Sequence, residues 1–388
     1  MLNLDRSTWK THRFGDLVRN SNESVKDVAD SGIEHLIALE HLDPGEITLS
    51  RYGKVVDGTT FTRRVRPGQT LFGKRRAYQR KAAYAEVDAI CSGDILVFEA
   101  VPDRMSPRLL PFLVHSDAFF DHALGTSAGS LSPRTSWRAL ADFEVALPRL
   151  DEQERIADLL WAIQEHWRAL GKLASELAAT RDCAIEEWLS RIGGNGAPLE
   201  TVAAVTSGIT LGPKRKAFAD VAPYLRVANV HRDSLNLAEI KEVGVTEIEA
   251  RDKRVCRGDI LMVEGHATAG EVGRAAIWER DEEPLFQNHL FRIRAGDGIE
   301  PRFLLEALNS TSARAYIRLF AKSTSGLNTI NSQVVKSIPV PRVDRTSQVE
   351  IVRWVQTLDR SRAAGEANRA SCRLLFRRIV SAVFGGST

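Results

Sequence analysis

Two stretches of this chain, about half a chain length apart, carry nearly the same sequence. Residues 145–151 read VALPRLD, and residues 338–344 read IPVPRVD. A glutamine follows each stretch, Gln153 in the first copy and Gln348 in the second, which has two extra residues before it. A proline-containing strand end that leads into a long helical pattern therefore occurs twice, and this predicts an internal duplication.

The sequence upstream of these junctions also repeats. Residues 35–39 (HLIAL) are similar to residues 224–228 (YLRVA), and residues 66–71 (RPGQTL) are similar to residues 257–261 (RGDIL). The order along the chain is therefore a globular unit, a long helix, a second globular unit and a second long helix.

The globular units have the pattern of mixed α/β domains. Short β-rich runs at 94–98 and 285–293 alternate with turn residues, and helical stretches lie near 109–120 and 301–320. We predict an α/β fold with a pseudo-two-fold repeat. Its four segments are a first globular domain (1–148), a helical segment (149–195), a second globular domain (196–341) and a second helical segment (342–388).

The two helical segments carry an apolar heptad pattern, in which steps of four and three residues alternate. Arg181 interrupts the first helix, and the sequence GGNG at 193–196 is expected to end it. The middle of the second helix is polar. The residues predicted to pair the helices are Ile156, Leu160, Ile163, Trp167, Leu170, Leu177 and Trp188 in the first, with Ile351, Val355, Leu358, Phe376 and Ile379 in the second.

The charges of the helices also differ. Residues 151–192 contain five basic and nine acidic residues, and residues 344–384 contain eight basic and four acidic residues. Opposite net charge favours pairing with each other over self-pairing. We therefore predict an antiparallel coiled coil of two helices. The alternative is that each helix packs on its own domain.

The composition limits the class of protein. The chain has 388 residues, of which 43% are hydrophobic and 27% charged, with a net charge of +3. These values exclude wholesale disorder and a collagen-like chain, and no apolar run approaches the ~18 residues of a membrane span. The first ten residues lack a secretion pattern, and the four cysteines form no C-x-x-C pair. We expect a reduced, cytoplasmic setting and no metal site.

Motifs of several enzyme classes are missing from the sequence. There is no P-loop, no G-x-G-x-x-G, no H-E-x-x-H and no stretch typical of amino-methyltransferases. We therefore predict no catalytic residues and favour a binding protein.

A dense basic run in the first unit is the best candidate for DNA contact. Residues 61–81 contain eight basic residues and no acidic one. Arginine and lysine bind phosphates and guanine edges, and an interleaved aromatic suits a nucleic-acid surface. The alternative is a solvated charged face. The predicted DNA contacts here are Arg63, Arg64, Lys74, Arg75, Arg76, Tyr78, Arg80 and Lys81, joined by Ser130 of a later Ser/Thr-rich stretch.

The second unit offers weaker candidates. A short basic cluster follows a Gly/Pro-containing loop, a loop of small and polar residues occupies 264–270, and a Ser/Thr-rich stretch begins at 323. The 264–270 segment could equally be a plain hairpin loop. The predicted DNA contacts are Lys214, Arg215, Lys216, His266, Thr268, Ser325 and Asn328.

Taken in order, these features resemble the DNA-specificity subunit of type I restriction–modification systems. The resemblance rests on the duplicated junctions and on the pattern G-x-x-L-x-x-K-x-R-x-Y-x-x-K at 68–81, followed by Cys91. It also rests on GDIL at 258–261, followed by Gly265 and Gly273. The second junction departs from the first, with Ser347 before its glutamine in place of Glu152.

The resemblance implies a non-catalytic protein that binds double-stranded DNA. Each recognition domain would read one half of an asymmetric, bipartite target, and the helices would set the gap and dock partner subunits. Those partners would be two modification (methyltransferase) subunits and restriction subunits. This chain would carry no cofactor; S-adenosylmethionine, ATP and Mg²⁺ would belong to the partners. Two other readings stay open, a DNA-binding scaffold outside restriction and a stand-alone DNA methyltransferase or nuclease.

Overall fold

The computed structural model describes residues 5–192, 196–324 and 326–385. The chain divides into two compact units. Unit 1 comprises Met1–Leu173 and Gly365–Thr388, and unit 2 comprises Ala174–Ala364. Each unit therefore contains one α/β domain together with a segment of both long helices. The four segment boundaries that the sequence suggests stay predictions, because these units cut across both helices.

Unit 1 is built from short strands that precede most of its helices. Its strands are β1 (Lys10–Arg13), β2 (Val18–Ser21), β3 (His35–Ile37), β4 (Gly53–Lys54), β5 (Arg63–Val65), β6 (Thr70–Gly73), β7 (Ala82–Tyr84), β8 (Ala89–Cys91), β9 (Ile95–Ala100) and β10 (Glu144–Leu147). Its helices are α1 (Phe14–Leu17), α2 (Leu110–Val114), α3 (Asp117–Gly125), α4 (Trp137–Ala141) and the first part of the long helix α5 (Leu150–Ile192).

Unit 2 follows the same plan. Its strands are β11 (Ala197–Pro198), β12 (Ala203–Ser207), β13 (Asp220–Leu225), β14 (Val230–His231), β15 (Ser234–Leu235), β16 (Lys241–Val245), β17 (Ile260–Val263), β18 (Gly265–His266), β19 (Ala275–Ile277), β20 (Leu285–Phe286), β21 (Leu290–Ala295), β22 (Lys322–Thr324), β23 (Leu327–Thr329) and β24 (Pro339–Val340). Its helices are α6 (Glu247–Asp252), α7 (Pro301–Asn309), α8 (Thr311–Phe320), α9 (Ser332–Lys336) and the first part of the long helix α10 (Arg345–Phe384).

The two units share their sheet topology. An antiparallel sheet has the order β2-β9-β6-β7 in unit 1 and β12-β21-β17-β19 in unit 2. A second sheet contains a parallel pair, β3 with β8 or β13 with β20. The central strands of the antiparallel sheets are buried on both faces: in β9, Leu96 and Phe98 belong to one core cluster, and Ile95 and Val97 belong to another. The α/β repeat predicted from the sequence is therefore present in the four-stranded antiparallel sheet and in this parallel pair.

A buried glutamine joins each domain to the long helix that follows it. The side chain of Gln153 accepts a hydrogen bond from the Ser106 N–H at 3.0 Å and donates to the carbonyl of Pro148 at 3.0 Å. Gln348 accepts from the Glu300 N–H at 2.7 Å and donates to the carbonyl of Val343 at 2.7 Å. Both carbonyls lie five residues before the glutamine, so the structure pairs Pro148 with Val343. The two extra residues of the second copy therefore lie before Val343.

A glycine turn before the central strand of each sheet is also repeated. Gly68 and Gly258 both have φ of +91°, a conformation that favours glycine. Their N–H groups donate to the carbonyls of Ala85 and Trp278, the residues that follow β7 and β19, at 2.9 and 2.8 Å. The side chain of the next residue, Gln69 or Asp259, accepts from the N–H three residues before it. The similarity of RPGQTL to RGDIL thus reflects one turn that is built twice.

The alignment of 35–39 with 224–228 was wrong by one residue. The carbonyl of Ile37 accepts from the Ser92 N–H, and the carbonyl of Leu225 accepts from the Gln287 N–H, both at 2.9 Å. These bonds make Ile37 the counterpart of Leu225, whereas the sequence comparison had placed Leu36 there. Two apolar residues in succession allowed the slip.

The predicted strand 285–293 is two strands, β20 and β21. Residues 287–289 form a turn between them, in which the Leu290 N–H donates to the Gln287 carbonyl at 2.9 Å. The apolar run did not reveal this break because the chain leaves the sheet only after Gln287, whose N–H still donates to the carbonyl of Leu225 in β13. The helical stretch near 301–320 is likewise two helices, and it begins at Pro301 as the sequence suggested.

Within unit 1, the first part of α5 packs with the last part of α10. Ile156 and Leu160 share a core cluster with Ile379, and all three are at most 5% exposed. Farther along the pair, the guanidinium of Arg369 lies 4.0 Å from the ring centroid of Trp167. Arg369, in the polar stretch of the second helix, thus contacts the first helix through a cation–π interaction.

Within unit 2, the last part of α5 packs with the first part of α10. The rings of Trp188 and Trp354 meet edge to face with centroids 5.0 Å apart. Ile351 and Val355 are at most 3% exposed in the unit 2 core. The antiparallel pairing that the sequence predicts is therefore seen in the helix segments of both units.

The apolar face of each helix is wider than the predicted seam. Ile163, Leu170, Leu177, Leu358 and Phe376 are only half-buried. Neighbouring positions outside the predicted set are more than nine-tenths buried, namely Trp161, Ile185, Leu189, Val352 and Val380. The reason is that each helix packs on an α/β domain as well as on the other helix. The alternative prediction, that the helices pack on the domains, therefore describes part of the observed contacts. Of the predicted helix end at 193–196, residues 193–195 lie outside the described residues.

Arg181, which interrupts the heptad pattern, is the centre of a buried ion network in unit 2. Its guanidinium contacts Asp359 at 3.1 Å, Asp233 at 2.9 Å and Glu306 at 2.8 Å. Arg302 contacts the same three carboxylates at 3.0–3.1 Å. The pair between Arg181 of α5 and Asp359 of α10 has a polarity opposite to the net charges of the helices. The network joins both helices to the domain.

Candidate nucleic-acid interface

The basic run of unit 1 divides into residues that are held by the fold and residues that project from it. Lys74, Arg76 and Tyr78 project: Arg76 is exposed, the Tyr78 side chain is 57% exposed and Lys74 is half-buried. None of the three side chains forms a hydrogen bond or ion pair with another residue of the described ranges. These three side chains keep their polar groups available to a ligand.

The arginines of strand β5 are held by the fold. Arg63 donates to the carbonyl of Ile95 at 2.6 Å. Arg64 grips Asp88 through two hydrogen bonds of 3.0 and 2.5 Å. This contact lowers the pKa of Asp88, because Arg64 bonds to the charged carboxylate. Arg63 and Arg64 therefore stabilise the sheet, and their role as DNA contacts stays a prediction.

The other three cations are also engaged. Arg75 donates to the Ser132 hydroxyl at 2.6 Å, and Arg80 bonds to Asp117 at 2.5 Å while it lies 4.5 Å from the Phe120 ring centroid. The ammonium of Lys81 donates to a main-chain carbonyl at 2.7 Å. A DNA phosphate would have to compete with these contacts.

The turn that carries Tyr78 is held in an uncommon backbone conformation. Arg76 and Arg80 flank the 3-10 turn Ala77–Gln79 and have φ of 55° and 52°, in the left-handed region. Such conformations are uncommon for residues other than glycine and persist where neighbouring structure fixes them. Here the Arg76 N–H donates to the carbonyl of Pro133 at 2.8 Å. The fold thus fixes the direction in which Arg76 and Tyr78 leave the surface.

The Ser/Thr-rich stretch of unit 1 lies beside this turn. Ala128 and Arg134 exchange two backbone hydrogen bonds, and the N–H of Thr135 donates to the carbonyl of Lys74 at 3.0 Å. Ser130 lies exposed between them. The structure therefore brings the loop of Ser130 next to the segment of Lys74 and Arg76, as a shared surface requires.

Arg134 is an exposed cation of this surface that the sequence reasoning missed. Its guanidinium lies 3.4 Å from Asp94, which also contacts Arg75 at 3.6 Å. The available signal was its place at the end of the Ser/Thr-rich stretch. A single arginine in a loop is too common for that signal to be decisive.

The basic cluster of unit 2 has one half-buried member. Arg215 is 13% exposed and bonds to Glu249 through two contacts of 3.1 and 2.7 Å, and also to the carbonyl of Gly244 at 2.9 Å. Bonding to Arg215 lowers the pKa of Glu249 to about 2. Lys214 and Lys216 flank Arg215 on the exposed side of the turn Pro213–Ala217. Arg215 therefore anchors the turn, and the two lysines are its available cations.

His266, Thr268 and Asn328 are brought together in another part of unit 2. Strands β18 and β23 pair His266 with Asn328. The His266 ring accepts from the Thr268 N–H at 3.0 Å, and the Asn328 amide donates to the carbonyl of Ala267 at 3.0 Å. The 264–270 segment is thus a short strand and a turn held by the 322–329 hairpin. Ser325 of that hairpin lies outside the described residues.

Two further searches concern metals and membranes. Among the described residues, no group of three His, Cys, Asp or Glu side chains is arranged to hold a metal ion. None of the helices in the described part of the chain is long and apolar enough to cross a membrane.

Two curated proteins are similar to this chain in sequence. One is the type I restriction enzyme StySPI specificity subunit of Salmonella potsdam, which is 23% identical over 297 residues, or 72% of this chain. The other is the type I restriction enzyme EcoKI specificity subunit of Escherichia coli (strain K12), 26% identical over 138 residues, or 35% of this chain. The matches span 64% and 30% of these relatives' own lengths. No protein-family profile matches the chain.

Solved structures give a match over the whole chain. A chain from a structure that describes complex assembly and conformational transition of the type I R-M system aligns with TM-score 0.62 and 17% identity, covering 98% of this chain and 99% of that one. The type I S subunit from M. genitalium aligns with TM-score 0.59 and 14% identity, over 100% and 99%. The HsdS subunit from Thermoanaerobacter tengcongensis aligns with TM-score 0.51 and 17% identity, over 98% of each chain.

These comparisons agree with the resemblance drawn from the sequence. At such identities, the structural matches show the fold. The chain therefore has the fold of a type I S subunit, with two α/β domains and two long helices, as the sequence predicted.

Proposed function

We propose that this chain is the non-catalytic specificity subunit of a type I restriction–modification complex. Each α/β domain would read one half of a split, asymmetric double-stranded DNA target. The observation that carries this proposal is a hydrogen-bonded scaffold that is built twice and bears different exposed side chains. Gln153 and Gln348 belong to the shared scaffold. Arg76 and His266 each come eight residues after the repeated glycine, Gly68 or Gly258, and their side chains differ.

This arrangement suits an asymmetric target because two similar folds can approach two DNA half-sites in similar ways. The half-sites then differ because the exposed residues differ. In unit 1, Lys74 and Arg76 supply donors that no other described residue uses, and donors of this kind bind phosphates and guanine edges. Lys214 and Lys216 offer similar donors in unit 2.

The long helices would give the target a fixed gap and hold the partner subunits. A rigid helix keeps its length, so it converts the distance between half-sites into a geometric constraint. The partners in this proposal are two modification subunits, which would bind S-adenosylmethionine, and restriction subunits, which would bind ATP and Mg²⁺. The complex would act in the cytoplasm.

Methylome sequencing tests the proposal. A host expresses this chain with the methyltransferase encoded beside it, and the control hosts express the methyltransferase alone or this chain alone. The expected result is a methylated motif of two short blocks at a fixed gap, seen only when both proteins are present. A motif that persists without this chain would overturn the proposal.

The same preparation separates the alternatives. A scaffold outside restriction would bind DNA with strong salt dependence and no preference between sequences. A stand-alone methyltransferase would bind S-adenosylmethionine by itself, which calorimetry on the purified chain would detect. The proposal predicts sequence preference in the complex and no such heat for the chain alone.

A further inference from the structure

Lys74 of unit 1 and Glu264 of unit 2 occupy the same place in the repeated scaffold. The Lys74 N–H donates to the carbonyl of Asp94, and the Glu264 N–H donates to the carbonyl of His289, both at 3.0 Å. The carbonyls of Lys74 and Glu264 each accept, also at 3.0 Å, from the residue that follows the Ser/Thr-rich hairpin of that unit. The backbone is therefore the same at both positions, while the side chains have opposite charges.

The residue opposite each of these two positions also differs between the units. In unit 1 the facing residue is the acid Asp94, which Arg75 and Arg134 hold at 3.6 and 3.4 Å. In unit 2 the facing residue is His289, whose Nδ1 lies 2.8 Å from a carboxylate oxygen of Glu264. In unit 1 a lysine side chain thus stands opposite an aspartate, whereas in unit 2 a glutamate stands opposite a histidine. A hydrogen-bond donor at this place in unit 1 becomes an acceptor in unit 2.

Glu264 is accessible to a ligand despite its contact with His289. Its side chain is 28% exposed, and its second oxygen forms no hydrogen bond with the described residues. With His289, Lys322 and Thr329 it lines a cavity of about 400 Å³ beside the 322–329 hairpin. His266, two residues on, is the counterpart of Arg76 and pairs with Asn328 of that hairpin. The carboxylate therefore lies among the residues already predicted to contact DNA.

The chemistry of base edges assigns different partners to these two positions. In the major groove, guanine presents two acceptors to lysine or arginine, whereas a carboxylate accepts from an exocyclic amino group such as cytosine N4. We propose that positions 74 and 264 are equivalent specificity-determining positions. Lys74 donates to a guanine edge in one half-site, and Glu264 accepts from a base amino group, of cytosine or adenine, in the other.

This inference rests on the proposed function, and one experiment separates the two. The methylome of the wild-type complex is measured first, and the absence of any bipartite motif would reject the proposed function itself. With that motif in hand, the same measurement is made on Glu264→Lys, Glu264→Gln and Lys74→Glu. Glu279→Lys is the matched control, because Glu279 is an exposed acid of unit 2 outside the cavity.

The expected result is a change at one base position. Glu264→Lys should lower methylation of sites with the original amino-bearing base roughly tenfold to hundredfold relative to other bases there. The half-site of unit 1 should keep its sequence, and the changed position identifies cytosine or adenine. Lys74→Glu should alter a guanine position in the other half-site, and Glu279→Lys should alter neither.

Glu264→Gln keeps the test valid if the lysine variant does not fold. Its amide has nearly the same shape and can still bond to His289, but it offers a donor as well as an acceptor. If Glu264→Gln relaxes the base preference at one position of the unit 2 half-site and nowhere else, the proposal is supported. A motif unchanged in both foldable Glu264 variants, or an equal loss of methylation at every sequence, would assign Glu264 a structural role and overturn it.

Discussion

The glutamine that joins each domain to its long helix should contribute strongly to the stability of that unit. Gln153 is 2% exposed and forms three hydrogen bonds, with the Ser106 N–H at 3.0 Å and with the carbonyls of Arg104 and Pro148 at 3.2 and 3.0 Å. Gln153→Ala removes all three and leaves a buried N–H without its acceptor. The unsatisfied buried N–H costs about 1–3 kcal/mol, and the two lost hydrogen bonds to carbonyls add about 1 kcal/mol, so the free energy of unfolding of unit 1 should fall by about 2–4 kcal/mol.

Thermal unfolding and hydrogen exchange would measure this loss. For a unit of this size, about 1 kcal/mol corresponds to roughly 2–4 °C, so the unit 1 transition should move down by roughly 5–15 °C. Amide exchange should rise in the peptides that contain Ser106 and the start of α5. Gln348→Ala should produce the same change in unit 2 and leave unit 1 as it was.

The control is Arg155→Ala, an exposed substitution two residues along the same helix. A Gln153→Ala protein that melts within about 2 °C of this control would refute the reasoning, as would faster exchange in unit 2. The variant Gln153→Glu adds a prediction of the direction in which stability changes with pH. A carboxylate can accept from Ser106 but cannot donate to the two carbonyls, so the variant should be destabilised at neutral pH. Protonation restores one donor, and stability should recover as the pH falls through the raised pKa of that buried acid.

Three further predictions concern single side chains. Arg76→Ala should weaken binding of the assembled complex to its target duplex by roughly 1–3 kcal/mol if Arg76 contacts a base, and anisotropy that shows unchanged affinity would reject that role. Arg215→Ala should lower the melting temperature of unit 2 because Glu249 loses its partner. Lys214→Ala should leave that temperature unchanged and reduce the salt dependence of DNA binding by about one phosphate contact. The reverse result would contradict the assignment. Burial and the nearby Asp233 raise the pKa of Glu306 to about 7 from 4.5, so its contribution to stability is complete below about pH 4.5 and is lost as the pH rises through 7. Glu306→Gln should flatten that decline between pH 5 and 8, and parallel pH profiles would count against it.

The fold could be predicted because its repeated parts contain residues that the local backbone geometry or buried hydrogen bonds require. A glycine with φ of +91° must recur wherever the turn recurs, and a buried glutamine must recur wherever a helix start is held by the same three bonds. Such residues keep their spacing, so they align. The one-residue error in the sequence alignment at Ile37 arose because no such requirement applies there, and the neighbouring leucine fits the same apolar pattern.

The candidate interface could be predicted only in part, because charge in a sequence does not reveal which cations are already engaged. Arg64 and Arg76 have the same side chain and lie in the same basic run. Arg64 grips Asp88 at 2.5 and 3.0 Å, and that carboxylate comes 24 residues later in the chain. Arg76 has no such partner among the described residues. Only the pairing of β5 with β8 makes this distinction.

The same division between scaffold and surface bears on how such a protein can change its target. Substitutions at exposed positions away from buried contacts usually alter stability by less than about 0.5 kcal/mol. Arg76 has a left-handed backbone conformation and its counterpart His266 lies in strand β18, and the two side chains also differ in charge and shape. The fold therefore tolerates both side chains at this place. If these positions read bases, a new target sequence needs no new fold, because Gly68 and Gln153 continue to hold the framework while the residues between them change.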